Sequence, residues 1–197
     1  MNPTTTTPTD LAIVEKLAIE KLENSLTRDS LSDLAKSGRR SLLLVDCSGS
    51  MSHMTASGEC SKIDALRDVV ETLRGQHTFP VASFGGRGVG VGLVDAIPNP
   101  GGMTPLAEAI EFGTSEGANH LVVITDGLPD SESAAFNAAG KFGGPIDVFY
   151  IDDGNEAGRR FARQLAKMTG GAVDITDMSD RKALASGIAG LLGDGSN

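Results

Sequence analysis

Tryptophan is absent from the 197 residues, tyrosine occurs once, and aromatics make up only 4%. Single-stranded nucleic acid is gripped by stacking on aromatic faces, so that class of partner is nearly excluded. Cysteine is scarce as well: Cys47 and Cys60 are too few for a disulfide framework in a chain of this size, and they fit a reducing compartment. Positive charge is in deficit, with a formal net charge of −9. Such a surface repels phosphate backbones and anionic lipid, so neither nucleic acid nor membrane is expected as a partner. A cation or a basic protein surface would be better received. No apolar run approaches the ~20 residues that span a bilayer. The opening MNPTTTTPTD has neither the charged nor the apolar region of a secretory signal, which makes a soluble, cytoplasmic protein the expectation.

What is present is glycine, at 25 residues, and a hydrophobic share of 40%, enough for one domain with a full core and a short appendage. Residues 1–9 are polar and proline-flanked and read as a disordered lead. Over 10–38, capped by Asp10 and with Leu11, Val14, Leu22 and Leu26 at helical spacing, the pattern predicts an N-terminal helical arm. From 39 to 197 strands and helices alternate. Apolar strands are expected at 41–45, in HLVVITDG, PIDVFYIDD and GAVDIT, and a pair at TFPVASFGG and VGVGLVDAI is close enough to form a hairpin. Amphipathic helices are expected over 63–74, TPLAEAIEFGTSEG, SESAAFNAAGKFG, EAGRRFARQLAKMTG and DRKALASGIAGLL. This alternation predicts an α/β fold: a doubly wound, mostly parallel sheet with one antiparallel edge strand and helices on both faces. Ligands of such sheets bind at the carboxyl ends of the strands, where the strand order reverses.

Three segments should reach that edge. SLLLVDCSGSMS ends an apolar strand in Asp46, Ser48 and Ser50; NPGGMTPL brings Thr104; ITDG brings Asp126. Two carboxylates and three hydroxyls form a set of hard oxygen donors with no thiolate or imidazole. That chemistry suits Mg²⁺, with Mn²⁺ or Ca²⁺ as alternatives, and disfavours zinc or copper. Gly49 is expected to allow the close backbone turn between the serines, and Cys47 to point away from the ion as a small buried hydrophobe. As an isolated motif DCSGS would more often be turn or cap chemistry; three coincident segments on the right elements are specific.

Together these segments resemble the von Willebrand factor A domain, whose metal-ion-dependent adhesion site combines Asp-x-Ser-x-Ser, a later threonine and a strand-ending aspartate. The resemblance covers residues 41–192 and points to an intracellular, prokaryotic or phage-type stand-alone member. It implies that Asp46, Ser48, Ser50, Thr104 and Asp126 hold a divalent cation, one or both carboxylates acting through water. Such an ion favours an incoming aspartate or glutamate from a protein partner. It further implies an adaptor role, beside a MoxR-type AAA+ ATPase or in an assembly complex.

Other signals carry less. GTSEG at 113–117 has the form of a hydrolase nucleophile elbow, but a helix precedes it and a strand follows, the reverse of what the elbow needs; Ser115 is expected in the connecting loop. His53, His77 and His120 lack zinc-ligand spacing. GGRGVGVG lacks the Gly-Lys-Ser/Thr ending of a phosphate loop. IDDGNE and RRFAR read as solvated surface.

The leading expectation is therefore a non-enzymatic, metal-dependent protein-interaction module, contacted through loops 50–60 and 99–105. Two rivals stand beside it. A metal-assisted hydrolase or phosphoryl-transfer enzyme would need a base or nucleophile that these loops do not clearly supply. A structural or assembly protein would instead associate through the arm. The leading reading also requires that no lysine or arginine of the protein fill the cation's place.

Overall fold

The structure, a computed structural model, describes residues 38–193 apart from 56, 76–78, 89, 153 and 179. The expected lead, nearly all of the expected arm, and His77 lie outside the described residues.

Strand β1 (Ser41–Cys47) leads through a 3-10 turn at Gly49–Ser52 to helix α1 (Lys62–Arg74). The hairpin of β2 (Val81–Gly85) and β3 (Gly92–Leu93) follows, then α2 (Leu106–Ser115), β4 (His120–Thr125), α3 (Glu132–Phe142), β5 (Ile146–Ile151), α4 (Glu156–Thr169), β6 (Val173–Thr176) and α5 (Arg181–Gly193). Local chemistry sets the boundaries. The side chains of Ser61, Ser131 and Asn155 accept backbone N–H groups at the starts of α1, α3 and α4, and Gly143 and Gly170 end α3 and α4 in the left-handed conformation. Two details differ from expectation. Ser115 is the last residue of α2 rather than part of the loop, its hydroxyl donating to the Phe112 carbonyl at 2.7 Å. Strand β3 is only two residues long, because the glycines around it have no side chains with which to pack.

The six strands lie in the order β3-β2-β1-β4-β5-β6. All neighbours pair in parallel except β3, which runs antiparallel to β2 at one edge. Alternation along β1 sends Leu43, Val45 and Cys47 into one core with α1 and α5, and Leu42 and Leu44 into a second core with α2, α3 and α4. The sheet is thus covered on both faces. From β1 the chain moves outward to β2, and it returns to place β4 on the other side of β1. The order therefore reverses between β1 and β4, and a crevice at their carboxyl ends is where such sheets hold ligands.

Candidate metal centre

Parity brings the carboxylates to this crevice. Asp46, two residues beyond Leu44, faces the α2 side, as does Thr125 at the end of β4. The Thr125 hydroxyl accordingly donates to Asp46 Oδ2 at 2.6 Å, and the Ser48 N–H donates to Oδ1 at 2.7 Å. Asp126, one step past Thr125, takes the opposite parity and turns toward α1. Its Oδ1 accepts the Ser50 hydroxyl at 2.6 Å, and the Ser48 and Ser50 hydroxyls lie 3.1 Å apart. Asp46, Ser48, Ser50 and Asp126 therefore form one connected set, with both carboxylates wholly buried.

Thr104 arrives by backbone contacts. Gly49 N–H donates to the Gly102 carbonyl at 3.3 Å and Gly101 N–H to the Cys47 carbonyl at 2.9 Å, tying the threonine loop against the serine loop. Arg67 of α1 reaches the carbonyls of Ile97 and Pro98 and the side chain of Asn99, holding the same loop from its other end. The Thr104 hydroxyl makes no hydrogen bond to the other four candidates. Asp130 clamps the Thr104 backbone, accepting its N–H at 2.7 Å and donating its own to the Thr104 carbonyl at 3.1 Å. Asp130 is exposed and follows β4 by a few residues, and sequence reasoning gave it no role.

The glycine that this arrangement needs is Gly85 rather than Gly49. A Cβ on Gly49 would meet only the Gly102 carbonyl, at an ordinary 3.6 Å. Gly85 has φ +74°, and a Cβ there would lie 2.8 Å from both Met103 O and Ser48 N, between the two site loops.

Lys62 was also unforeseen. This first residue of α1 is 3% exposed, and its Nζ lies 2.8 Å from Asp126 Oδ2. A lysine at a helix start reads in sequence as solvated, and the helix dipole disfavours it there. Here a bridge between Met54 and Ser61, and a hydrogen bond from Lys62 N–H to the His53 carbonyl at 2.9 Å, turn the helix start inward. A lysine is thus bonded directly to a candidate ligand, against the expectation that none would enter the site; it takes Asp126 Oδ2 and leaves Asp46 to other donors. Asp46 is held by neutral donors only, and burial, with the Asp126 charge adding to it, pushes its carboxyl up to about 6 against the pull of Thr125 and Ser48. Burial and the Asp46 charge push the neighbouring Cys47 thiol up to about 12.

These residues fit a hard divalent cation. Of two buried carboxylates one is paired with an ammonium and the other with neutral donors, hydroxyls link them, and no soft donor intrudes. Among the described residues no cluster of three His, Cys, Asp or Glu side chains is arranged to hold a metal. Any cation here would depend on the hydroxyls of Ser48, Ser50 and Thr104.

A second polar cluster lies at the opposite edge of the same strands. Ser41 Oγ is 2.7 Å from His120 Nδ1, and His120 Nε2 is 2.7 Å from Asp147 Oδ2, which Arg39 also approaches at 3.4 Å. The order is that of a hydrolase triad with the ring reversed, since there the serine faces Nε2 and the carboxylate Nδ1. One tautomer, protonated on Nε2, satisfies both contacts. The ring is wholly buried, and burial lowers its pKa. A cleft of about 350 Å³ beside Ser41, lined also by Phe79, Pro80 and Leu93, belongs to this edge and is no part of the candidate metal centre.

No helix among the described residues is long and apolar enough to cross a membrane. No protein-family model and no curated protein matches the chain. Solved structures do. A von Willebrand factor type A protein from Catenulispora acidiphila superposes with a TM-score of 0.56 at 19% identity, over 79% of this chain and 42% of that one. This chain therefore spans less than half the length of that protein. A pilus assembly-related protein from Burkholderia pseudomallei gives a TM-score of 0.43 at 13% identity, over 81% of this chain and 94% of its own. A response regulator from Burkholderia multivorans gives 0.40 at 13% identity, over 80% and 98%. At these identities the likeness concerns architecture alone, and the first of them agrees with the observed strand order and covered faces: the chain has a von Willebrand factor A-like α/β fold.

Proposed function

We propose that this domain is a metal-dependent protein-interaction module, in which Asp46, Ser48, Ser50, Thr104 and Asp126 hold a Mg²⁺ ion that receives an aspartate or glutamate of a partner. The observation that carries the reading is the charge deficit at the switch point: of two wholly buried carboxylates linked through serine hydroxyls, Asp126 is paired with the Lys62 ammonium while Asp46 is held by neutral donors. Burying an unbalanced carboxylate is costly, and a site kept in that state is suited to a cation. When bound, the cation supplies an electrophilic position for an external carboxylate. The chain's own side chains hold and orient it, while the Thr104 loop, fixed by Asp130 and Arg67, borders the opening.

The rim suits a protein partner. Four large hydrophobic side chains among the described residues are notably exposed, and two of them, Met54 at 56% and Met103 at 68%, sit in the loops on either side of the site. Flexible, polarisable methionines are suited to docking surfaces. In this reading the role is non-enzymatic, with Asp130 serving to hold the Thr104 backbone. By resemblance, the module serves in the cytoplasm as an adaptor for a MoxR-type AAA+ ATPase or an assembly complex. Capture of partners by immobilised protein in Mg²⁺ and in EDTA tests this, with Asp46→Ala as control. Metal-dependent capture lost in the variant is expected, and capture indifferent to both metal and substitution would refute it.

A further inference from the structure

The pairing of Lys62 with Asp126 bears on how the site is regulated, provided that the site holds a metal as proposed. Lys62 is held in place by the backbone: its N–H is fixed to His53, its helix is capped by Ser61, and Arg67 on the same helix anchors the loop that leads to Thr104. Its ammonium is bonded to Asp126 Oδ2, while Oδ1 of the same carboxylate takes the Ser50 hydroxyl. One of the two anionic groups that would attract a cation is therefore already paired with an ammonium of the protein itself.

We infer that Lys62 is a built-in counter-charge that makes cation binding and carboxylate-ligand binding interdependent at this site. Without Lys62, two carboxylates would balance a divalent ion and leave it little demand for a third. With Lys62 in place, the two carboxylates and the ammonium together carry a net charge of about −1, so they attract a divalent cation weakly, and the loaded group carries a net positive charge that an external anion relieves. The cation then binds poorly alone and tightly together with an acidic ligand, and by linkage each strengthens the other by the same factor. The site would thus engage metal and partner as one event.

Shifts of opposite sign are expected, which a merely structural lysine would not produce. Mn²⁺ binding is measured by electron paramagnetic resonance for the wild-type chain, Lys62→Met and Lys62→Arg, with and without acetate as the carboxylate probe. Lys62→Met is expected to bind Mn²⁺ alone roughly tenfold or more tightly than wild type. Acetate should tighten Mn²⁺ binding in wild type and in Lys62→Arg, and leave Lys62→Met unchanged. Equal Mn²⁺ affinity in wild type and Lys62→Met, or an equal response to acetate, overturns the role of Lys62 and leaves the metal site standing. No Mn²⁺ binding by any of the three overturns the metal site itself, and the coupling with it. If Lys62→Met folds only with metal, the wild-type chain supplies the decision: Mn²⁺ should broaden the nitrogen resonance of the Lys62 ammonium only at concentrations that acetate lowers. Broadening that is independent of acetate refutes the coupling.

Discussion

Strands β1 and β4 carry buried polar groups at both ends, and the two clusters are completed differently. At the amino ends, Asp147 accepts from His120, Arg39 and the Ala172 N–H, and the remaining nitrogen of His120 is met by Ser41. Positive and negative charge balance there, and each group has its partner within the fold. At the carboxyl ends, Asp126 is paired with Lys62 while Asp46 is held by the neutral donors Ser48 and Thr125, and the hydroxyls of Ser48 and Ser50 bridge to a carboxylate without adding charge. The first cluster is closed and the second is one positive charge short. A closed cluster contributes to stability whatever the solvent contains, whereas an incomplete one makes stability depend on what is bound. Burial alone does not distinguish them, since the carboxylates of both are buried; the charge count does.

The sharpest way to break this comparison is to remove one carboxylate from each end. Asp126→Ala removes a buried carboxylate bonded to the Lys62 ammonium and the Ser50 hydroxyl and is expected to cost about 3–5 kcal/mol in EDTA, measured by urea unfolding. Asp147→Ala, which strands His120 and the Ala172 N–H, should cost about 2–4 kcal/mol, and that loss should be the same in Mg²⁺ and in EDTA. A metal-dependent loss for Asp147→Ala would erase the distinction between the ends.

Gly85→Ala sharpens it by acting on one end only. The left-handed φ and the approach to Met103 O and Ser48 N predict a loss of about 2–3 kcal/mol, together with loss of metal-dependent capture. Full stability and capture in this variant would show that the loops do not need the close contact.

The pH dependence isolates the amino end. Burial lowers the pKa of His120 despite the opposing effect of its hydrogen bond to Asp147, while in the unfolded chain the ring protonates near 6.5. The unfolded state thus takes up a proton that the folded state resists, so this contribution to stability is complete above pH 6.5 and is lost as pH falls below it. In unfolding curves collected from pH 8 down to 5, His120→Gln should flatten that part of the decline. A decline unchanged by the substitution would assign it to other groups.

The smallest stability effect should come from Asp46→Asn. Burial makes the Asp46 carboxylate costly, so a neutral side chain of the same shape should leave the metal-free protein within about 1 kcal/mol of wild type, or more stable. The same variant should lose stabilisation by Mg²⁺, read as the shift of the melting temperature. A large destabilisation without metal would mean that Asp46 is as well compensated as Asp147.

Much of the architecture was legible in the sequence because its signals are local. The apolar run of β1, the caps at Ser61, Ser131 and Asn155, and the glycines after α3 and α4 each act within a few residues. The site was half legible. Asp46, Ser48 and Ser50 lie on one tight turn, and Asp126 follows an unmistakable strand, so their convergence follows from strand parity. Lys62 was not legible, because only the turn over 53–61 points the start of α1 inward, and no short-range pattern announces that. The requirement for glycine was placed at Gly49 but belongs to Gly85, since the steric demand comes from Met103, 18 positions away. The Ser41–His120–Asp147 cluster spans sequence separations of 79 and 27 residues and becomes visible only once the strands are paired.

Cys47 lies between Asp46 and Ser48, yet its side chain belongs to the opposite core, and its thiol is held protonated far above neutrality. Peroxides and alkylating agents react with the thiolate, so they should pass over this residue even though it adjoins the candidate metal centre. Cys60, half-buried and in contact with Arg181, is then the group such reagents reach, which permits a spin label or fluorophore to be attached at one defined place without removing any cysteine. Thiol oxidation in this protein should accordingly begin two residues before α1 and spare the cysteine of the strand that carries Asp46.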